Sequence, residues 1–171
     1  MRRVDRARPW WHRLVTALAP APPDITERLA RHHAAEVRLA HGLAQEAESL
    51  ARYPHPRVRV LDAAEHARGR AQRIRRALAE LGHPVAEPTT RSGRIGPTTW
   101  DRLRVDVSEL GSMSDTYLAD AHAVERGHPD IAGLLHDLYR ESAGDRRDLI
   151  WTLAQLVGTA VNTRSLDAAA A

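Results

Sequence analysis

The chain has 171 residues, 43% hydrophobic and 27% charged, with 25 basic residues against 22 acidic ones and no cysteine. That length suits one domain around one core, and the missing cysteine excludes disulfides and thiolate metal sites. No apolar run approaches the ~20 residues of a membrane-spanning helix, so the cytoplasm is the expected location.

Residues 1–22 read as a basic tail, with Arg2, Arg3, Arg6, Arg8 and Arg13 set against Asp5. The remaining chain is close to neutral, and every basic residue is arginine, the bias of a GC-rich genome rather than a choice of bidentate donor. Trp10 and Trp11 share one helical face with Leu14, Val15 and Leu18. Two readings stand side by side. The tryptophan pair docks on the body of the protein, or it anchors the tail to anionic lipid or a partner, as helices of Trp and Arg do. Membrane or nucleic-acid contact is expected only through this tail.

The first helix is expected from about Asp24, an N-cap with Glu27 completing a capping box, to about Arg52. Its inward stripe is Ile25, Leu29, His32, Glu36, Leu39, Leu43, Ala47 and Leu50, spaced by threes and fours. The second is expected from about Pro56 to Leu81, stopped by Gly82 and Pro84, with Val60, Ala64, Ala67, Ala71, Ile74, Leu78 and Leu81 inward. The third follows Pro97-Thr98-Thr99 and turns Trp100, Leu103, Val107, Leu110, Ser114, Tyr117, Ala121 and Val124 inward. The fourth opens at Pro129 with Ile131, Leu134, Leu135, Leu138, Ser142, Asp145, Leu149, Leu153 and Leu156. No stretch alternates as a strand does, so the fold class is all-α.

Arg76-Ala77-Leu78-Ala79-Glu80-Leu81 recurs as Trp151-Thr152-Leu153-Ala154-Gln155-Leu156, and a His-Pro pair precedes each copy, at His55-Pro56 and His128-Pro129. Short first and third connections make two antiparallel hairpins. The middle connection is long enough to run back along the bundle, because a helix of about 26 residues is ~39 Å long while 17 extended residues reach ~56 Å. Residues 23–158 then form a four-helix bundle with one long crossover, and 159–171 a C-terminal tail.

The segment Arg-Ala-Gln-Arg-Ile-Arg-Arg-Ala-Leu-Ala-Glu-Leu-Gly-His-Pro (70–84) resembles the end of the second helix in ferritin-like proteins, the bacterioferritin and rubrerythrin type of bundle. The resemblance implies a di-iron or di-manganese centre, with a Glu on the first and third helices and Glu-x-x-His on the second and fourth. Carried over from Gly82, the motif positions fall on Ala67 and Arg70, and the repeat carries them to Ser142 and Asp145. Glu36 matches the first-helix Glu. Only Glu36 and Asp145 then bring carboxylates inward, and Arg70 brings a fixed positive charge. The expectation is a polar core network of Glu36, Arg70 and Asp145 in place of metal, set against the alternative that Arg70 snorkels to solvent.

Other chemistry is thinner. His32, His33 and Glu36 could hold a single iron or manganese, since His32-x-x-x-Glu36 is the pairing hemerythrin-like domains use. Arg68, Arg73, Arg75 and Arg76 form an outward basic patch without the interleaved aromatics of a single-strand binder. No nucleophile elbow or phosphate loop is present. The expected role is therefore a non-catalytic interaction or small-molecule-binding protein without cofactor. A homodimer through the bundle faces, an unknown protein partner and a small ligand are the partners considered. The rivals are a divergent metal-binding oxidoreductase or iron-storage protein, and an adaptor acting through the tail.

Overall fold

The computed structural model describes residues 23–86 and 96–169, with side chains described over 25–86 and 96–157. Four helices account for most of them: α1 (Pro23–Ser49), α2 (Pro54–Glu80), α3 (Thr99–Val124) and α4 (Pro129–Ala169). Local chemistry sets their ends. Thr98 caps α3, its hydroxyl oxygen accepting from the Asp101 amide at 3.1 Å, the usual remedy for a free amide at a helix start. Gly82 ends α2 at φ 74°. The His83 amide returns to the Leu78 carbonyl at 2.8 Å and the Gly82 amide to Ala79 at 3.0 Å, the double closure that a left-handed glycine permits.

α2 starts two residues before the expected Pro56, because Pro54 also fits the first turn, where no amide partner is needed. α4 continues to Ala169, through the stretch beyond 158 that the sequence reading assigns to a tail. No proline interrupts it there, and the single Gly158 costs about 1 kcal/mol. Trp10, Trp11 and the rest of the basic tail, residues 1–22, lie outside the described residues.

α1 packs closely along α2 and α3 along α4, with lighter contact between α2 and α4 and between α1 and α3. Cross-helix bonds give the directions. Arg28 meets Asp120 while Glu46 meets Arg102, so α1 and α3 are antiparallel. Arg59 meets Asp148 while Arg73 meets Glu141, so α2 and α4 are antiparallel too. With each hairpin antiparallel, α2 and α3 run the same way across the bundle diagonal. The connection between them therefore has to span the bundle's length. The fold is a four-helix bundle of two antiparallel hairpins joined by a long crossover.

The core follows the helical stripes. Leu29, Leu39 and Leu43 of α1 meet Val60, Ile74 and Leu78 of α2, Leu103 and Leu110 of α3, and Leu138 and Leu149 of α4 in one buried cluster. Leu81, Trp100, Val124, Ile131, Leu134 and Leu156, expected inward at helix ends, are only partly buried against it. No helix among the described residues is long and apolar enough to cross a membrane.

Candidate functional site

Charged and hydroxyl side chains interrupt the apolar stripes at mid-height, on all four helices. Glu36 and Arg70 are fully buried at 0% exposure and Asp145 is 6% exposed. Arg70 Nε donates to Glu36 Oε1 at 2.7 Å, and Arg70 Nη1 donates to Asp145 Oδ2 at 2.5 Å. Glu36 Oε1 also accepts from the Tyr117 hydroxyl at 2.6 Å. Asp145 Oδ1 accepts from His66 Nδ1 at 2.7 Å, and His66 has a side-chain exposure of 60%. One guanidinium thus sits between two carboxylates, with a phenol at one end and a surface imidazole at the other.

Arg70 does not snorkel to solvent. Neighbouring positions on α2 and α4 are small, Ala67 and Ser142 both being fully buried, which makes room for a long side chain to lie inside. Ser142 completes a second polar contact, its hydroxyl lying 3.0 Å from that of Ser114, which donates to the Leu110 carbonyl at 2.8 Å.

Burial works against the Arg70 charge, but the Glu36 and Asp145 side chains bonded to it outweigh that effect and hold the guanidinium pKa above its ordinary value. Burial raises the Glu36 pKa against the opposing pull of Arg70. It raises the Tyr117 pKa as well, with the Glu36 side chain acting in the same direction, so Tyr117 is a phenol that donates. The chemistry available is charge pairing and proton holding among buried side chains.

Towards the α1 start a second cluster continues the chain of polar groups. Asp120 Oδ1 accepts from Arg28 Nη1 at 2.5 Å and Oδ2 accepts from His32 Nε2 at 2.8 Å. The His32 ring lies 4.4 Å from the Tyr117 ring, centroid to centroid. Burial lowers the His32 pKa, with Asp120 opposing.

The structure brings Glu36, Arg70 and Asp145 together and places His32 and His33 nearby, both buried. His32 is bound to Asp120, whereas Glu36 is bound to Arg70 and Tyr117. Of the basic patch, Arg68 pairs with Glu65 on its own helix, Arg73 pairs with Glu141 at 2.5 Å, and Arg75 and Arg76 are exposed. Sequence reasoning missed three partners. Tyr117 carried a signal, since a tyrosine on a core stripe needs a partner for its hydroxyl. His66 and Asp120 carried none, because both lie on the flanks of their stripes.

A two-metal centre of the kind the resemblance implies does not fit these residues. Ala67 and Ser142 stand where carboxylates are needed, and the guanidinium already occupies the two carboxyl groups that remain. Among the described residues no three His, Asp or Glu side chains are grouped to hold a metal ion.

No protein-family model matches the sequence, and no curated protein matches it. Among solved structures, the chain is similar to a crystallised protein from Xanthomonas campestris pv. campestris, with a TM-score of 0.72 and 17% identity. The match covers 83% of this chain and 96% of that one. At that identity the likeness shows the helical-bundle fold alone.

Proposed function

We propose that the chain is a non-catalytic member of the ferritin-like group, with the Glu36–Arg70–Asp145 network in place of a metal centre, acting as an interaction or small-molecule-binding protein. The observation that carries this reading is the fully buried Arg70 guanidinium bonded to both carboxylates. A cation fixed by covalent attachment does what a metal does for the fold. It offsets the buried negative charge and ties three helices together, but it offers no open coordination position for redox chemistry.

Two further features support the reading. The hairpin–crossover–hairpin order is the topology of ferritin-like bundles with one crossover. The residues seventy-five apart at mid-height, Arg70 and Asp145, match the offset of the repeated segments, as a duplicated helix pair would leave them. The test is metal content and stability of protein purified without a histidine tag. Fewer than ~0.2 ions of iron or manganese per chain are expected, with a melting temperature unmoved by chelator, since metal-dependent folds lose stability when stripped. Near-stoichiometric metal, or a melt that collapses on chelation, would sink the reading.

A further inference from the structure

We propose that Glu36 is a neutral carboxylic acid at neutral pH, carrying its proton on Oε2, and that its ionisation at alkaline pH loosens the polar core. The proposal rests on the same network as the function above. Its starting point is an asymmetry between two oxygens of one side chain. Glu36 Oε1 accepts from both Arg70 Nε and the Tyr117 hydroxyl. Glu36 Oε2, buried beside it, has no hydrogen-bond partner.

An ionised carboxylate spreads its charge over both oxygens, so this geometry would leave half a charge on a buried oxygen that no protein group meets, the neighbouring Arg70 Nη2 included. A carboxylic acid differs between its oxygens. Its carbonyl oxygen accepts, and its hydroxyl oxygen carries hydrogen. An unpaired neutral hydroxyl is a far smaller penalty than an unpaired charge. Asp145 makes the contrast, because both of its oxygens accept, from Arg70 and from His66.

The charges agree. Facing Glu36 are Arg70 from α2, Tyr117 from α3 and Asp145 from α4, with His32 and His33 one turn earlier on α1. Tyr117 is neutral, and Arg70 is always charged. Arg70 and Asp145 balance each other, so a second ionised carboxylate would leave the core one negative charge in excess. Burial favours the protonated form of Glu36 for the same reason. The proton is thus a structural component of the bundle, and removing it introduces an unbalanced charge shared by three helices.

The sign of the pH effect follows. A carboxyl group whose pKa is raised by folding stabilises the fold fully below its ordinary value, and that contribution is lost as pH rises through the raised value. The test is infrared spectroscopy of the wild-type protein and of Glu36→Gln, whose amide mimics a protonated acid. At pH 7 the wild type should show the carbonyl stretch of a buried carboxylic acid, lost in Glu36→Gln and lost in the wild type at alkaline pH. Glu36→Gln should also unfold at a denaturant midpoint that stays level where the wild type falls.

A wild-type protein with no acid band at pH 7, or a band that survives in Glu36→Gln, overturns the proposal. Should Glu36→Gln fail to fold, carbon-13 NMR of glutamate-labelled wild type decides. One side-chain carboxyl signal should keep its protonated shift at pH 7, and its absence overturns the proposal. Metal-free protein with an ionised Glu36 refutes this inference alone, whereas bound metal refutes the proposed function.

Discussion

Arg70 Nη1 donates to Asp145 Oδ2 across 2.5 Å, between residues seventy-five apart in the chain, the same offset that separates Arg76–Leu81 from Trp151–Leu156. Because α2 and α4 are antiparallel, residues at equal depth in the two hairpins can meet at only one level. That level is mid-bundle, and a cation facing an anion occupies it. Complementary charges at that level make the contact between hairpins specific in register, which an Ala–Leu seam alone leaves weakly defined.

Removing the guanidinium should be costly. Arg70→Met leaves Glu36 and Asp145 facing each other in the interior, and truncating one partner of a buried ion pair costs about 3–5 kcal/mol. The drop should appear as a lower urea midpoint at unchanged slope. Arg70→Lys should recover little of it, since an ammonium lacks the planar fork that reaches two carboxylates at once. Replacing Glu36, Arg70 and Asp145 together by Leu, Met and Leu should recover most of the loss, because no charge is then left unpaired. A triple variant as unstable as Arg70→Met would show that packing, not charge, sets the cost.

The acid limb of the stability curve should report His32. Burial lowers its pKa, so folding favours the neutral ring. Its contribution is present above the ordinary histidine value of 6.5 and is lost as pH falls through the lower folded value. His32→Gln, which retains a donor for Asp120, should flatten stability between pH 6.5 and the acid transition. An unchanged acid limb in that variant would assign the loss to other groups.

Much of the fold was legible because helical periodicity is a strong signal here. Leu29, Leu39, Leu43, Ile74 and Leu78 fall at threes and fours, and all are buried. The position of Arg70 was ambiguous for a physical reason. It lies beside the Ala67–Ala71–Ile74 stripe, and a long flexible side chain at a flank can turn either way. What decides the matter is the space left by Ala67 and Ser142 and the two carboxylates arriving from α1 and α4. Those are properties of assembled helices, not of any one segment. Asp120 was illegible for the same reason, because its partners Arg28 and His32 are 92 and 88 residues away.

The Tyr117 hydroxyl should contribute modestly. Tyr117→Phe removes one of two donors to Glu36 Oε1 while Arg70 Nε remains, and a lost hydrogen bond of this kind costs about 1–2 kcal/mol. Differential scanning calorimetry should show a small downward shift with the transition still cooperative. A loss as large as that of Arg70→Met would mean that the phenol, rather than the guanidinium, organises the site.

Two helix glycines should respond differently to alanine. Gly69 lies inside α2, and a methyl group there meets nothing within 4 Å. Gly69→Ala therefore gains helix propensity without a steric penalty, and about 1 kcal/mol of added stability is expected. Gly111 lies inside α3, where a methyl group would stand 3.1 Å from Arg146 Nε and 3.3 Å from its Cζ. Arg146 is exposed and its far end can swing aside, so Gly111→Ala should still fold. The displaced contact between α3 and α4 offsets part of the propensity gain. Chemical denaturation of the two variants should rank Gly69→Ala above Gly111→Ala, and the reverse order would mean that the α3–α4 seam is looser than the Arg146 contact implies.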